Sequence, residues 1–138
     1  MAECKALIVE DSASFRELVK DILHSQFPSM EIIEAKNGKE GMEQAASFHP
    51  DLIFMDIRLP DESGLELTKK IKASWPDTTI IILTHYDFPE YREAASKHGA
   101  NHFLAKGATT EEEILKLVQS ILSERKIDKN DVTHKRLS

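Results

Sequence analysis

The chain of 138 residues has the length of one domain with one hydrophobic core, and its 41% hydrophobic and 30% charged residues are those of an ordinary globular domain. The net charge of -6 argues against nucleic-acid binding through a broad basic face, since phosphate contacts need clustered Lys and Arg. The single cysteine, Cys4, excludes an intrachain disulfide, and with no signal-peptide pattern and no apolar run near the roughly 20 residues of a membrane helix, we expect a cytoplasmic protein.

Two strand-and-helix pairs are predicted first. An apolar run at 6–9 predicts a strand that ends in Glu10 and Asp11. Apolar residues then recur at helical spacing after Ser12, a typical N-cap residue, which predicts an amphipathic helix. A second strand is predicted at 30–35. Two later helices begin at capping-box spacing, Asn37 with Glu40 and Ser63 with Glu66.

The third strand is the most informative stretch of the chain. Four apolar residues in a row, 52–55, end abruptly in Asp56. A short continuous apolar run is typical of a strand that is buried on both faces, as in the middle of a parallel sheet. A carboxylate at the end of such a strand needs a charged partner, a metal ion or a chemical use.

The second half of the chain continues the alternation. Strands are predicted at 79–84 and 101–105, the latter ending at Lys106, and each precedes a helix. The apolar pattern of the last helix fades after about residue 124. We therefore expect one domain over 1–124, followed by a frayed helix end and a polar tail over 125–138.

Five strands that alternate with five helices predict an α/β fold, with a doubly wound parallel sheet and helices on both faces. The carboxyl ends of parallel strands share one edge of the sheet, so polar residues at those ends should meet in one crevice. The residues that end the strands in this way are Glu10, Asp11, Asp56, Thr84 and Lys106.

This set of residues favours phosphoryl chemistry. Clustered carboxylates repel one another, and a hard divalent cation such as Mg²⁺ removes that repulsion. An ammonium and a hydroxyl can neutralise or bond a transferring phosphoryl group, which a carboxylate can accept as an acyl phosphate. Each residue alone is more simply a cap or a surface residue, but five at successive strand ends are harder to explain that way.

The spacing of these residues, together with Pro60, Gly64 and Phe103, resembles the receiver domain of two-component response regulators over about residues 4–123. The resemblance is to single receivers of the chemotaxis-regulator type, and it implies the flavodoxin-like fold with strand order 2-1-3-4-5. The chain departs from the common pattern at Gly107, where many receivers have proline. Many receivers that lack this proline precede DNA-binding domains.

The resemblance also implies roles for individual residues. Asp56 would be the phosphoacceptor, taking its phosphoryl group from a sensor histidine kinase or a phosphotransfer protein. Thr84 would bond a phosphoryl oxygen, and Lys106 would pair with Asp56 or its phosphate. Thr84 and Phe103 would form the switch pair, in which the aromatic ring turns inward as the threonine moves toward the phosphate.

The implied cofactor is Mg²⁺. By resemblance its ligands would be Asp11, Asp56 and the backbone carbonyl of Arg58, with Glu10 helping through water. Arg58 and Tyr86 each stand two residues after a site residue. We expect these two side chains to shield the acyl phosphate from water, with ordinary surface positions as the plain alternative.

Several functions compete at this point. A signalling switch that is no enzyme, beyond its own phosphorylation and dephosphorylation, is favoured. It would act either on an unknown downstream protein or as the N-terminal receiver of a longer DNA-binding regulator. A phosphatase with an Asp nucleophile is less favoured, because Arg58 stands where such enzymes carry a second Asp and does not release its proton. A flavin or nucleotide carrier would need a phosphate-binding loop that the sequence lacks.

The expected partners follow from the same reasoning. A kinase or phosphotransfer protein is expected, and neither nucleic acid nor membrane is expected to bind this chain itself. A homodimer through the face of the fourth helix, fifth strand and fifth helix is possible for a receiver.

Overall fold

The computed structural model describes residues 4–137, and their side chains through residue 125. Five strands alternate with five helices, as predicted. They are β1 Lys5–Val9, α1 Ala13–Gln26, β2 Glu31–Ala35, α2 Gly38–Phe48, β3 Leu52–Met55, α3 Gly64–Ser74, β4 Thr79–Thr84, α4 Pro89–Lys97, β5 His102–Ala105 and α5 Glu111–Leu137.

The sheet is parallel throughout and has the order β2-β1-β3-β4-β5, which confirms the predicted topology. All four residues of β3 are buried, as a strand in the middle of a parallel sheet requires. The edge strand β5 is half-buried along its whole length. No helix in the described part of the chain combines the length and the hydropathy needed to cross a membrane.

Helices cover both faces of the sheet. On one face, alternate strand residues such as Ile53, Met55 and Ile82 form a buried cluster with residues of α2, α3 and α4. On the other face, Phe15 of α1 lies beside Phe54, around a small cavity of about 10 Å³. Side chains alternate between faces along a strand, so the register decides which residues meet each helix layer.

The predicted N-caps of the first three helices are confirmed. The side chains of Ser12, Asn37 and Ser63 each accept a backbone N–H of the helix that follows. At Ser63 the reciprocal half of the expected capping box does not form, because Glu66 instead lies 3.3 Å from the His98 ring. At Asn37 it does not form either, because the Glu40 carboxylate accepts the Lys36 N–H at 3.0 Å. The helices therefore begin where the sequence predicted, although both glutamates have other partners.

The chain divides into two compact units, one through Ala108 and one from Thr109 onward. The second unit is α5, which begins with a capping box: the hydroxyl of Thr110 accepts the backbone N–H of Glu113, whose carboxylate accepts that of Thr110. The helix continues to Leu137, but the side chains beyond Arg125 lie outside the described residues. The expected division into a domain over 1–124 and a tail over 125–138 stays a prediction.

Candidate functional site

A buried ion-pair triad lies at the carboxyl edge of the sheet. The Lys106 ammonium donates to Glu10 Oε1 at 2.5 Å and to Asp56 Oδ2 at 3.2 Å. All three are withdrawn from water, since Glu10 is 3% exposed, Asp56 8% and the Lys106 side chain 6%. Buried charges are tolerable when they are paired in this way, so each member depends on the others.

The backbone explains why these residues meet. β1 and β3 pair in register at Val9 and Met55, and the Asp56 N–H donates to the Val9 carbonyl at 3.0 Å. Glu10 and Asp56 are therefore the next residues along neighbouring strands. Lys106 follows β5 immediately, and its N–H donates to the Thr84 carbonyl at 2.8 Å. Strand pairing thus brings Lys106 to two residues that are far away in the sequence, Glu10 at a separation of 96 positions and Asp56 at 50.

An acidic cluster joins the triad. Carboxylate oxygens of Glu10, Asp11 and Asp56 all lie within 4.8 Å of one another, and Asp11 is exposed. Three carboxylates face one ammonium, so the site has an excess of negative charge. Burial raises the pKa of Glu10, although hydrogen bonds from Lys106 and from the Ser12 backbone N–H oppose that shift. A compact set of hard oxygen donors with excess negative charge fits a divalent cation such as Mg²⁺.

An open cavity of about 600 Å³ gives access to these groups. Its lining combines the acidic cluster and Lys106 with the first turns of α1 and the loops after β3 and β4. The lining residues are Glu10, Asp11, Ser12, Ser14, Phe15, Leu18, Asp56, Arg58, His85, Tyr86 and Lys106. A substrate or a partner can therefore reach the Asp56 carboxylate from one side.

Thr84 is the predicted strand-end residue that does not line this cavity. It is fully buried, and strand alternation puts it with Ile82 on the face that α2, α3 and α4 cover. Its hydroxyl oxygen accepts the N–H of Tyr86 at 3.3 Å. Phe103, the register partner of Ile82, belongs to the same face. The two residues of the expected switch pair are thus separated from the triad by the sheet itself.

Phe103 is covered by a charged side chain. The guanidinium carbon of Arg92 on α4 lies 4.6 Å from the centre of the Phe103 ring, which is a cation–π contact. Arg92 also pairs with Asp87 in the loop after β4. This ion pair lowers the pKa of the Asp87 carboxyl. The aromatic residue is therefore connected through Arg92 to the loop that follows Thr84.

Arg58 and Tyr86 meet above the cavity. The Arg58 guanidinium carbon is 4.9 Å from the centre of the Tyr86 ring, and both residues line the opening. Tyr86 also packs edge-on against Tyr91 of α4, with ring centres 6.4 Å apart. The two side chains therefore contact each other at the edge of the cavity that leads to Asp56.

The loop after β3 is closed on itself. Arg58 and Ser63 form an antiparallel bridge, and the Gly64 N–H donates to the Ile57 carbonyl at 2.7 Å. A methyl group at Gly64 would lie 1.9 Å from the Asp56 carbonyl oxygen, so no other residue fits there without moving the backbone. Gly64 therefore sets the shape of the loop that presents the Arg58 carbonyl.

Sequence reasoning did not include the residues of α1 that complete the site. The centre of the Phe15 ring lies 4.1 Å from the Lys106 ammonium, and Leu18 of the same helix is 47% exposed beside the cavity. Arg16 donates to the Glu10 carbonyl at 2.7 Å and to Glu34 at 2.9 Å. Their position directly after Glu10 and Asp11 was the one available signal, because the contacts themselves depend on tertiary structure.

The five histidines whose side chains the structure describes form no competing metal site. Of the six, His85 lines the cavity and is exposed. Over the described residues, the one group of three or more His, Cys, Asp or Glu side chains able to share an ion is Glu10, Asp11 and Asp56. The acidic cluster is therefore the metal-site candidate of this part of the chain.

Comparison with known proteins gives a consistent match. The family model of the response regulator receiver domain matches residues 6–119. Among solved structures, a CheY-like response regulator receiver domain protein from Methanospirillum hungatei JF-1 superposes with a TM-score of 0.84 at 26% identity, covering 92% of this chain and 99% of the other.

Curated relatives are longer than this chain. The oxygen regulatory protein NreC of Staphylococcus carnosus (strain TM300) is 36% identical over 119 residues, which cover 85% of this chain and 54% of NreC. The protein-glutamate methylesterase/protein-glutamine glutaminase of Geobacillus kaustophilus (strain HTA426) is 35% identical over 108 residues, which cover 77% of this chain and 31% of that protein. The chain thus spans about half the length of the first relative and about a third of the second.

Proposed function

The chain belongs to the response regulator receiver domain family, and from that premise we propose that it is a phosphorylation switch whose phosphoacceptor is Asp56. The observation that carries this proposal is the Lys106 ammonium held between the Glu10 and Asp56 carboxylates at the end of the central strand. The triad opens to a cavity from one side, as a carboxylate that must meet a phosphodonor requires.

The chemistry assigns a role to each group of the site. An Asp56 oxygen attacks the phosphorus of a phosphohistidine on the kinase or phosphotransfer partner. The nitrogen–phosphorus bond breaks, and its electron pair stays on the imidazole, which takes up a proton. Lys106, already 3.2 Å from Asp56, can pair with the incoming phosphoryl oxygens. The product is an acyl phosphate on Asp56, and water later hydrolyses it.

The proposed metal ligands are Asp11, Asp56 and the Arg58 carbonyl, with Glu10 acting through water. When bound there, Mg²⁺ supplies positive charge that offsets the carboxylates and the transferring phosphoryl group. The exposed position of Asp11 at the mouth of the cavity supports a direct role, and the tight pairing of Glu10 with Lys106 supports an indirect one.

The proposed output depends on Thr84. Its hydroxyl oxygen now accepts the Tyr86 N–H, so bonding a phosphoryl oxygen would rearrange the loop after β4. That movement carries the loop with Asp87, which is paired with Arg92 over Phe103. Phosphorylation adds roughly 1.5 to 2 negative charges, which is enough to bias such a two-state element.

The share of the curated relatives that this chain covers supports a second candidate. We propose as the second candidate that the chain is the N-terminal receiver of a longer DNA-binding regulator, because it spans about half the length of NreC. An enzymatic output of the chain itself is not proposed. The cytoplasmic location, the unknown downstream partner and the homodimer expected from the resemblance stay predictions.

Intact-mass measurement after treatment with acetyl phosphate and Mg²⁺ tests the proposal. We expect the wild-type protein to gain one phosphoryl group, and Asp56→Asn to gain none. Asp21→Asn, which alters an exposed aspartate on α1, is the matched control and should behave as wild type. Labelling that persists in Asp56→Asn, or that does not occur at all in the wild-type protein, would contradict the assignment.

A further inference from the structure

The loop after β3 is attached to a second element that the proposed chemistry does not use. The Asp61 carboxylate accepts the Gly38 N–H through Oδ1 at 2.7 Å and the Lys39 N–H through Oδ2 at 3.0 Å. These are the first two N–H groups of α2. We call these two hydrogen bonds the loop anchor.

The N–H groups in the first turn of α2 find hydrogen-bond acceptors in two different segments of the chain. Asn37 caps its own helix by accepting the Glu40 N–H at 2.8 Å, and the Gly41 N–H donates to the Asn37 carbonyl at 2.9 Å. Asp61 accepts the remaining two N–H groups from another loop. A carboxylate is favoured there because the helix dipole presents positive charge at its N-terminus. Those hydrogen bonds lower the pKa of Asp61, so the group is charged at neutral pH.

A second contact docks the same loop on α2. The Glu62 side chain lies so close to Gly38 that a methyl group at that position would stand 2.5 Å from Glu62 Cγ. The Glu62 carboxylate also pairs with Lys70 of α3 at 3.3 Å. Gly38 therefore leaves room for the loop, and its N–H helps to hold it.

The anchored end of the loop is rigidly linked to the site end. Arg58 and Ser63 bridge across the loop, and Gly64 packs against the Asp56 carbonyl. Residues 58–63 thus form a closed unit that connects Asp61 with the Arg58 backbone. Outer-shell contacts that orient metal ligands contribute to metal affinity in this way.

We infer that Asp61 is a positioning residue for the phosphorylation of Asp56, and that the loop anchor holds the Arg58 carbonyl where it can serve the metal site. This inference rests on the proposed function, because it assigns Asp61 a part in the same Mg²⁺-dependent site. Asp61 is a member of neither the acidic cluster nor the cavity lining, so its proposed effect passes through the loop.

Mg²⁺ titration followed by backbone amide NMR shifts tests the inference without relying on activity. We expect Asp61→Ala to raise the Mg²⁺ dissociation constant on the order of tenfold, the lower end of the outer-shell range. The Mg²⁺ dissociation constant of Asp61→Asn should lie between those of the wild type and Asp61→Ala. An amide keeps one acceptor oxygen but turns its NH₂ toward the other N–H donor. The backbone amides of residues 58, 59 and 61–63 should exchange faster with solvent in both variants.

Asn37→Ala is the matched control. It removes a cap from the same end of α2 but leaves the loop anchor intact. Both alanine variants should unfold at a lower urea concentration than the wild type, because each removes an acceptor from the same helix N-terminus. Only the Asp61 variants should weaken Mg²⁺ binding. If Asn37→Ala weakens binding as much as Asp61→Ala, or if neither Asp61 variant does, the positioning role is overturned.

Wild-type protein measured beside the variants separates this inference from the function on which it depends. If Mg²⁺ binding and Asp56-dependent phosphorylation both occur in the wild type but are unchanged in the Asp61 variants, the positioning role alone fails. If the wild type neither binds Mg²⁺ nor gains a phosphoryl group, the proposed function fails, and the inference is overturned with it.

Discussion

Gly64 lies directly against the backbone of Asp56, so that a methyl group at Gly64 would stand 1.9 Å from the Asp56 carbonyl oxygen. This contact ties the first turn of α3 to the residue proposed as the phosphoacceptor. A close approach of two backbones is a packing reason for glycine, and here it determines the path of the loop between them.

Gly64→Ala should therefore damage both stability and the site. The clash with backbone cannot be relieved by a side-chain rotation, so we expect a loss of about 1–3 kcal/mol in the free energy of unfolding, as for overpacking. Phosphorylation by acetyl phosphate should slow as well. Gly107→Ala is the matched control, because nothing lies within 4 Å of a methyl group there. Equal urea midpoints for the two variants would show that the close approach of Gly64 to the Asp56 carbonyl does not affect stability.

Removing the Lys106 ammonium should leave two buried carboxylates without their shared partner. We expect Lys106→Met to lose about 3 kcal/mol of unfolding free energy at neutral pH, as when one member of a buried pair is removed. Lys116→Met, which removes an exposed ammonium of α5, should change stability by less than about 1 kcal/mol. Urea denaturation in the absence of divalent cations measures both. A Lys106→Met protein as stable as the control would contradict the idea that the triad is balanced by this lysine.

Arg92 should restrain the proposed switch. Its contact with the Phe103 ring and its ion pair with Asp87 hold the loop after β4 in the arrangement seen here. An exposed cation–π contact contributes about 0.5–1 kcal/mol. Arg92→Gln should therefore speed phosphorylation by acetyl phosphate roughly two- to fivefold.

Lys97→Gln provides the control for Arg92, because it removes an exposed cation that pairs within α4 itself, with Glu93 at 3.3 Å. Its phosphorylation rate should match that of the wild type. A rate for Arg92→Gln that is unchanged or slower would mean that the contact does not oppose the switch.

The stacked pair of Arg58 and Tyr86 should control the lifetime of the acyl phosphate. Replacing both with alanine opens the cavity to water. We expect the phosphorylated double variant to lose its phosphoryl group several times faster than the wild type. The decay is followed by intact mass after the phosphodonor is removed. A half-life equal to that of the wild type would show that both residues are ordinary surface residues with no effect on hydrolysis.

The capping box of α5 predicts a pH dependence. Hydrogen bonds from the Thr110 backbone and hydroxyl lower the pKa of the Glu113 carboxyl in the folded state. A lowered folded-state pKa stabilises the protein above the unfolded-state pKa of about 4.3, and that contribution is lost as pH falls through the folded-state value. The stability difference between wild type and Glu113→Gln should therefore be present at pH 7 and shrink below about pH 4.

Glu111→Gln in the same first turn is the control for the capping box. Thermal unfolding of the three proteins across pH 3–7 gives the comparison. A difference between wild type and Glu113→Gln that grows as pH falls would have the wrong sign for a carboxylate that is stabilised by hydrogen-bond donors.

Much of the fold could be predicted because its signals are local. The apolar run at 52–55 identified the buried central strand, and Ser12, Asn37 and Ser63 identified helix starts, since caps and hydrophobic periodicity depend on neighbouring residues only. The carboxyl ends of parallel strands share one edge of the sheet, and this predicted that the acidic residues lie near Lys106. The partners of Glu66 and Glu40 were missed, because His98 at the C-cap of α4 and the Lys36 N–H compete for these carboxylates.

By itself, the sequence determined the alternation of strands and helices, the carboxylates and the lysine at the strand ends, and the resemblance that joins them. Tertiary structure alone decided that Asp61 is bound to α2 and that Arg92 covers the Phe103 ring. The physical reason is that contacts between distant segments are settled by packing, which no local pattern of residues contains.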